Sequence, residues 1–482
     1  MAFFDTLKKL LGIQPIDIGE LNRRATLESN EPRLRHATAK DALDGIVITE
    51  QYKTVRALLE AGSPIVFVTG NAGTGKSTLI DYLRVSLEKH LAVVAPTGVA
   101  ALNARGVTIH SFFHLPPRIL DDKDIKPVRD RRLYRKLQLL IIDEVSMVRC
   151  DLMDTINCFL QKNRDDKSPF GGVQLLLIGD LFQLPPVAPR HEWVVLKDKG
   201  YTTRYFFNAS SLQGMCLIPV ELTSVYRQED QQFVDLLNRI RIGEDLDSAL
   251  DELNHRCFVH DNLPTDITLT CTNSRADQIN AAELGHLNSQ EYLFEGSIEG
   301  KFKLEHDRLP SPLDLRLKVG ARVMFTKNDE QHRWVNGALG IVQEISRRRI
   351  RVELANDPPS LLVDVRPATW ETYQYVYDPQ QDQIVARKVG QYTQYPLMLG
   401  WAVTIHKCQG KTLDNVFVDL ESGAFDSGQV YVALSRCRKF DGIRLARPIH
   451  RTDVKCDPEI QRFYHALEDM TATTDTEDDV PF

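Results

Sequence analysis

The stretch Ile65-Val-Phe-Val-Thr-Gly-Asn-Ala-Gly-Thr-Gly-Lys-Ser-Thr-Leu-Ile80 decides the fold of this chain. Its apolar run from Ile65 predicts a buried β-strand, residues 70–75 predict a glycine-rich loop, and the residues from Ser77 onward predict a helix that ends near Glu88. A buried strand, a glycine loop and a helix in this order are the elements of an α/β nucleotide-binding domain.

The loop matches the pattern G-x-x-x-x-G-K-[ST]. Backbone N–H groups of such a loop form a nest around a polyphosphate, and the following helix points its positive N-terminus at the same place. Lys76 would reach the β- and γ-phosphates, and Ser77 Oγ would be a ligand of Mg²⁺. The sequence therefore predicts a site for ATP and Mg²⁺. The predicted nucleotide-binding residues of this stretch are Gly70, Gly73, Thr74, Gly75, Lys76, Ser77 and Thr78.

Length and composition describe a protein of several domains. A chain of 482 residues is too long for one core, and 43% hydrophobic with 26% charged residues is the balance of globular proteins. Apolar runs stay well below the ~20 residues of a membrane span, and no signal peptide is evident. The eight cysteines form no C-x-x-C pair, which argues against a metal ribbon or a disulfide framework. We expect a cytoplasmic, nucleoid-associated protein.

The net charge of -7 is unevenly distributed. Six acidic residues and no lysine or arginine lie in the last fifteen positions, so the remainder of the chain is close to neutral. A near-neutral body can still hold a basic groove for nucleic acid.

Polar side chains follow two further apolar runs. Asp143 and Glu144 come directly after the run from Leu137, and Asp180 and Gln183 follow the run from Val173. Parallel strands bring their carboxyl ends to one edge of a sheet, where open α/β sheets bind ligands. Asp143 would hold Mg²⁺ together with Ser77, and Glu144 would orient and deprotonate the attacking water. Gln183 would sense the γ-phosphate with support from Asp180.

The ordered motifs of the chain resemble those of the superfamily 1B DNA helicases of the Pif and RecD kind, and the Pif branch in particular. They are Gly-Asn-Ala-Gly-Thr-Gly-Lys-Ser, Ala-Pro-Thr-Gly-Val-Ala-Ala, Thr-Ile-His-Ser-Phe, Ile-Asp-Glu-Val-Ser-Met, Gly-Asp-Leu-Phe-Gln-Leu-Pro-Pro, Glu-Leu-Thr-Ser-Val-Tyr-Arg-Gln, Leu-Thr-Cys-Thr-Asn-Ser-Arg, Thr-Ile-His-Lys-Cys-Gln-Gly and Tyr-Val-Ala-Leu-Ser-Arg. The resemblance implies an α/β fold of two tandem RecA-like P-loop domains, with a small insertion in the first and an SH3-like β-barrel inserted in the second. It also implies an ATP-dependent helicase that moves 5′ to 3′ on single-stranded DNA in replication, recombination or repair.

The resemblance assigns roles to residues outside the P-loop. Arg227 and Arg436 would be arginine fingers from the second domain, although Arg438 is a near neighbour of Arg436. Gln51 would contact the adenine edge, and Gly410 would belong to the nucleotide site. Phe113 is explained equally well as a core residue. The residues expected along the DNA are Thr97, His110, Phe113, Phe182, Thr404, His406 and Lys407.

The expected domain boundaries follow from the motifs and from shifts in composition. They are an amphipathic helix and linker over 1–40, the first RecA-like domain over 41–205 with a basic insertion near 114–136, the second over 206–290 and 397–450, the inserted β domain over 291–396, a C-terminal helix over 451–470 and a disordered acidic tail over 471–482. The basic insertion is either a solvated loop or a DNA-contacting protrusion.

The last residues resemble the C-terminal tip of bacterial single-stranded-DNA-binding protein. That tip is an acidic run ending in an aliphatic residue, proline and phenylalanine, and it docks into apolar pockets with basic rims. The matching residues are Asp478, Asp479, Val480, Pro481 and Phe482. The tail would recruit proteins that bind such a tip or compete with DNA for the groove; otherwise it only solubilises the chain.

Three other functions remain open from the sequence. They are a RecD-like nuclease subunit, a translocase that does not unwind, and an ATP-switched DNA-binding module without directional stepping. The expected partners are single-stranded DNA and DNA junctions, with no membrane, and we expect a monomer.

Overall fold

A computed structural model describes residues 15–17, 47–116, 118–224, 228, 230–258, 267–302, 309–331, 333–346, 349–354, 361–421 and 423–474. The expected N-terminal amphipathic helix over residues 1–12 lies outside these ranges, as do Arg227 and residues 475–482 of the tail. Within the described ranges, every helix is too short or too polar to cross a membrane.

The strands and helices are named in chain order. The strands are β1 (Pro15–Asp17), β2 (Ile65–Gly70), β3 (Leu91–Ala95), β4 (Val107–Thr108), β5 (Leu139–Ile142), β6 (Gln174–Ile178), β7 (Leu217–Leu222), β8 (Ile267–Thr270), β9 (Glu291–Glu295), β10 (Ser297–Gly300), β11 (Asp314–Lys318), β12 (Arg322–Phe325), β13 (Leu339–Ser346), β14 (Arg349–Leu354), β15 (Leu362–Val365), β16 (Ala368–Asp378), β17 (Gln383–Gln394), β18 (Leu397–Leu399), β19 (Ala402–Thr404), β20 (Val416–Asp419) and β21 (Ile443–Leu445). The α-helices are α1 (Glu50–Glu60), α2 (Lys76–Ser86), α3 (Gly98–Asn103), α4 (Ile109–Phe112), α5 (Arg132–Lys136), α6 (Cys150–Arg164), α7 (Arg190–Asp198), α8 (Gln231–Ile242), α9 (Leu246–Cys257), α10 (Asn273–His286), α11 (Gln429–Leu434) and α12 (Pro458–Thr474).

The first lobe, from α1 to β7, is built on a six-stranded sheet of order β4-β3-β5-β6-β2-β7. All neighbouring pairs in it are parallel. Successive side chains of β2 point to opposite faces, so Ile65 and Phe67 pack into one hydrophobic layer and Val66 and Val68 into the other. This burial on both faces explains the unbroken apolar run in the sequence.

The first lobe extends further along the chain than the expected boundary at residue 205. Strand β7 pairs with β2 over its whole length, from Ile65 opposite Leu217 to Gly70 opposite Leu222. The expected boundary was wrong. The segment that the sequence places beyond the domain junction forms a sixth strand beside β2, and this pairing satisfies its backbone hydrogen-bonding groups.

The second lobe is a smaller parallel sheet of order β19-β8-β20-β21, flanked by α8 to α11. Its core contains Leu236 and Ile240 of α8, Leu269 of β8 and Val432 of α11. Two parallel sheets in one chain give the α/β class that the motifs predicted.

The inserted domain, from β9 to β18, consists of antiparallel pairs. Its largest sheet has the order β15-β14-β13-β12-β18, so it ends at Leu399 and not at residue 396. Strand β1 pairs in parallel with β9, so the segment over 1–40, expected to be an amphipathic helix and linker, also contains a strand.

The long hairpin β16–β17 of the inserted domain reaches the first lobe. The hydroxyl of Tyr375 accepts a hydrogen bond of 3.2 Å from Val93 N, and its ring lies in the core layer of the first lobe. Lys136 forms an ion pair of 2.6 Å with Asp382 at the hairpin tip. The inserted domain is therefore docked on the first lobe in this arrangement.

The basic insertion near 114–136 contributes to the first-lobe core, where Leu115, Ile125 and Tyr134 are buried. Phe113 is fully buried beside them, with ring centroids 4.8 Å from Phe112 and 5.2 Å from Phe159. The prediction that Phe113 contacts DNA was therefore wrong, because its whole side chain is used in packing.

Helix α12 returns from the second lobe and packs on the first. Ile460 and Leu467 lie in the first-lobe core, and Phe463 stacks on Phe207 with centroids 4.3 Å apart. The helix continues to Thr474, so the expected disordered tail begins at least four residues later than residue 471.

Candidate active site between the two lobes

The loop between β2 and α2 has the backbone of a phosphate nest. Gly70, Gly73 and Gly75 all have positive φ, at 147°, 86° and 85°. At Gly70 a Cβ would lie 2.5 Å from the carbonyl oxygen of Leu222, so a larger residue cannot replace this glycine without moving β7. The loop geometry thus requires the glycines that the pattern contains.

Lys76 lies across the mouth of this loop. Its Nζ donates to the carbonyl oxygens of Gly70 at 2.7 Å and Asn71 at 2.8 Å. Burial lowers the pKa of Lys76, while the charges of Asp180 and Glu144 oppose that shift. The ammonium group is thus already held at the loop by weak neutral acceptors that phosphate oxygens can replace.

The other predicted P-loop residues surround this point. Thr74 is buried and donates through Oγ1 to Asn71 O at 3.0 Å, whereas Ser77 at the start of α2 is exposed. Thr78 is partly buried on the next position of the helix. Gln51 on α1 is partly exposed and donates to Thr223 Oγ1 at 3.1 Å, at the edge of the same lobe.

Two carboxylates follow β5, as the sequence predicted. The Glu144 backbone N–H donates to Asp143 Oδ1 at 3.0 Å, and Glu144 has a left-handed backbone with φ of 50°. Burial raises the pKa of Asp143 to about 7, and the charge of Glu144 adds to that shift. Burial also raises the pKa of Glu144, opposed by the charges of Lys76 and Arg436. A cation bound beside these buried carboxyl groups would favour their ionised form. Such groups therefore fit the donor set of a Mg²⁺ site.

The loop after β6 carries the predicted sensor. Gln183 is buried, and its Nε2 donates to Asp180 Oδ2 at 3.2 Å. Gln409 of the second lobe donates through Nε2 to Gln183 Oε1 at 3.3 Å and to Glu144 Oε2 at 3.2 Å. One amide group from the second lobe thus bridges the sensor and the predicted general base of the first.

Arg436 lies two residues after the end of α11 in the second lobe. It is 1% exposed, and its guanidinium donates to Val432 O and Ser435 Oγ, each at 2.9 Å. Burial lowers the pKa of Arg436, and the charges of Glu144 and Asp180 are among those that oppose this shift. Lys76 interacts with the same two carboxylates. Arg438, its neighbour in the motif, is exposed and pairs with Asp414 at 3.6 Å, so the geometry favours Arg436 as the residue that faces the cleft.

Two residues for which the sequence suggested no role also cross the cleft. Arg241 of α8 forms a buried ion pair of 3.0 Å with Asp180, and Tyr431 of α11 accepts a hydrogen bond of 3.2 Å from Ala72 N in the P-loop. Burial alone would raise the pKa of Asp180, but the charges of Arg241 and Lys76 outweigh it and lower the pKa. Arg241 lies outside every recognised motif, so only the tertiary structure reveals it.

The side chain of Phe182 contacts residues of two other elements. The ring of Tyr464 in α12 is stacked on it with centroids 5.1 Å apart and an interplanar angle of 12°, and the Arg241 guanidinium lies 4.4 Å from the ring centroid. The hydroxyl of Tyr464 shares a hydrogen bond of 2.7 Å with Thr69 Oγ1, next to the P-loop. These contacts leave Phe182 only partly accessible to DNA.

The remaining predicted DNA residues lie at or near the ends of helices and strands on both lobes. Thr97 caps α3 by accepting from Ala100 N at 3.2 Å, and His110 is half-buried on α4, where burial lowers its pKa. Thr404 is buried at the end of β19 and caps the next turn through Lys407 N at 3.4 Å. Lys407 is exposed. His406 is partly buried, and this burial lowers its pKa. Gly410 follows in an exposed left-handed turn beside Gln409.

A P-loop lobe whose carboxylates are completed by an arginine and a glutamine of a second parallel-sheet lobe defines a nucleotide-driven motor ATPase. The sequence profile of the PIF1-like helicases matches residues 48–249. The chain is 32% identical to the ATP-dependent DNA helicase Pif1 of Bdellovibrio bacteriovorus over 88% of this chain and 93% of that protein. This chain belongs to the Pif1-like helicase family.

Solved structures agree with this membership. The chain matches Pif1 of a Bacteroides species in complex with ADP-AlF4 at a TM-score of 0.80 and 35% identity, over 88% of this chain and 98% of that one. The same comparison with Bacteroides Pif1 bound to single-stranded DNA gives a TM-score of 0.64 at 36% identity and equal coverage.

We predict that Lys76→Ala and Glu144→Gln each lower the rate of ATP hydrolysis in the presence of single-stranded DNA by at least about 100-fold. Lys76 would no longer bind phosphate, and a glutamine cannot take a proton from water. The measurement is a steady-state ATPase assay with circular dichroism as the test of folding. Lys53→Ala, which removes an exposed lysine of α1, is the matched control and should hydrolyse ATP normally. Normal turnover in either site variant would contradict the assignment.

We predict a strong energetic coupling between Arg241 and Asp180. Arg241→Gln leaves a buried carboxylate without its partner, which costs about 3–5 kcal/mol, whereas Arg241→Gln with Asp180→Asn removes both charges. The single variant should therefore have the lower midpoint of thermal unfolding, and the double variant should recover more than half of the loss. Additive effects of the two substitutions would contradict the coupling.

Proposed function

We propose that this chain is an ATP- and Mg²⁺-dependent helicase that translocates 5′ to 3′ on single-stranded DNA and acts at DNA junctions in replication, recombination or repair. The observation that carries the proposal is that residues of the second lobe contact the polar residues of the first: Arg241 pairs with Asp180 at 3.0 Å, and Gln409 donates to both Glu144 and Gln183. A site completed by both lobes links nucleotide turnover to their relative movement.

The residues of the cleft have different roles in ATP hydrolysis. Lys76 would exchange its carbonyl acceptors for phosphate oxygens, and Ser77 and Asp143 would hold Mg²⁺, which would neutralise charge that develops on the phosphates. Glu144, oriented by Gln409, accepts a proton from the attacking water. Arg436 supplies a fixed positive charge in a buried setting, where such a charge stabilises the transition state strongly. Arg227 would be a second such cation.

We further propose that the inserted domain is the SH3-like barrel of the family and that DNA passes over the loops carrying Thr97, His110, His406 and Lys407. Five antiparallel strands with consecutive pairing from β12 to β15 support the barrel. The cellular setting that fits this function is the nucleoid in the cytoplasm.

The polarity experiment distinguishes the proposal from its rivals. We expect the protein with ATP and Mg²⁺ to unwind a duplex with a 5′ single-stranded tail and not one with a 3′ tail, measured by strand separation with labelled DNA. Unwinding of neither, with DNA-stimulated ATPase intact, would support a translocase or a switched binding module. Cleavage of the labelled strand would indicate a nuclease subunit.

We propose, secondly, that the acidic tip from Asp478 to Phe482 binds proteins that recognise the tip of single-stranded-DNA-binding protein. The aromatic ring of Phe482 would enter an apolar pocket while its carboxylate and Asp479 meet basic residues at the rim. A tail that only solubilises the chain needs acidic residues but not the final Val-Pro-Phe order. The presence of this order therefore supports docking on a partner.

We predict that deletion of residues 480–482 abolishes binding to a purified enzyme that has such a pocket, measured by fluorescence anisotropy with the full chain. Arg462→Ala, at an exposed position of α12, is the control that keeps the tip intact. A synthetic tip peptide should compete with the full chain for the enzyme. If the truncated chain binds the enzyme as well as the full chain does, the tip is only a solubilising tail.

A further inference from the structure

Phe425 is an exposed aromatic side chain without an assigned role. It precedes α11 in the second lobe and is 57% exposed. Among the described residues, the other large hydrophobic side chains that are exposed to a comparable degree are all valine, isoleucine or leucine. Exposing part of a phenylalanine ring to water has a free-energy cost, which a stacked ligand would remove.

The ring of Phe425 lies parallel to the imidazole of His406, with centroids 6.3 Å apart and an interplanar angle of 11°. His406 belongs to the segment after β19 that resembles the DNA-contacting motif. Two exposed lysines are close along the chain or in space: Lys407 follows His406 in sequence, and Lys455 Nζ donates to Phe425 O at 3.1 Å. Aromatic faces beside cations are what single-stranded nucleic acid requires of a binding surface, since bases stack and phosphates need positive charge.

The backbone of Phe425 is held rigidly. Its N–H donates to Oε1 of Gln429 at 2.9 Å, the N–H of Asp426 donates to the same oxygen at 3.2 Å, and Gln429 is fully buried. Arg204 of the first lobe forms an ion pair of 2.7 Å with Asp426. A ring fixed in this way loses little conformational entropy when it stacks on a ligand.

We propose that Phe425 and His406 form a base-stacking platform of the second lobe, on which one base of single-stranded DNA lies while Lys407 and Lys455 contact the neighbouring phosphates. This inference rests on the proposed helicase function and adds a subsite to it. Stacking does not distinguish among bases, which suits a motor that must step along any sequence.

The position of the platform links it to the nucleotide cleft. Gln429, which holds the backbone of Phe425, is the first residue of α11, and Tyr431 of the same helix contacts Ala72 in the P-loop. Gly428 packs so closely on the sensor loop that a Cβ there would lie 2.4 Å from Gln183 O. A change in the cleft that shifts α11 would therefore shift the stacked base with it.

The test compares Phe425→Ala, Phe425→Leu and Phe425→Trp with the unchanged chain in binding to an oligodeoxythymidine, measured by fluorescence anisotropy at fixed low salt. We expect Phe425→Ala and Phe425→Leu to weaken binding about tenfold and Phe425→Trp to retain it, because leucine keeps apolar bulk without a π-face. Val187→Ala, at another exposed apolar residue, is the matched control and should bind normally. Equal midpoints of thermal unfolding show that the variants are folded.

An abasic strand of the same length separates stacking from every other cause. Without bases, the chain and its Phe425 variants should bind equally, since only phosphate contacts remain. An equal loss on the abasic strand, or no loss on the oligodeoxythymidine, would overturn the platform. Failure of the unchanged chain to bind the oligodeoxythymidine would instead refute the proposed function, and the platform with it.

Discussion

The structure depends on the balance of buried charge in the cleft between the lobes. Asp143, Glu144 and Asp180 come from the first lobe; both aspartates are buried and Glu144 is partly buried. Their counter-charges are Lys76 from the same lobe and two buried arginines, Arg241 and Arg436, from the other. Buried charges are tolerated only when they are paired, so neither lobe could present its half of this set to a dry interface alone. Contact between the lobes therefore supplies two of the counter-charges of the first-lobe carboxylates.

The parts of the site that could be predicted are those whose chemistry depends on local order along the chain. The P-loop, the carboxylates after β5 and the sensor after β6 each follow a buried strand, and parallel strands must bring such ends together. Arg436 was found through its motif, whereas Arg241 and Tyr464 belong to none. Their importance comes from contacts between positions far apart in sequence, Arg241 with Asp180 and Tyr464 with Thr69. A local sequence pattern cannot indicate pairs of residues that are so far apart in the chain.

The errors in the fold have a related origin. Strand β7 follows a run of loops and short 3₁₀ turns, and the sequence cannot show that an edge of the first sheet is still open beside β2. Phe113 stands in a motif that lines the DNA groove, yet its packing against Phe112 and Phe159 takes the whole ring. Phe112 and Phe113 are both buried, whereas the preceding Ser111 is exposed, so membership in a motif does not decide which residues are accessible. Strand β1 is three residues long, and strands of that length carry no periodicity to recognise.

The C-terminal helix adds a constraint that two separate lobes would not have. The chain leaves the second lobe after β21 and returns along α12 to the first, where Tyr464 touches both the strand before the P-loop and Phe182 of the sensor loop. The guanidinium of Arg241 in the second lobe lies 4.4 Å from the centroid of the same ring. Phe182 is thus held between an element that moves with the first lobe and one that moves with the second. If the lobes separate, either the ion pair of Arg241 with Asp180 breaks or the sensor loop moves with α8. Both outcomes change the surroundings of Gln183. A change in the spacing of the lobes would therefore alter the nucleotide site without any contact between DNA and phosphate.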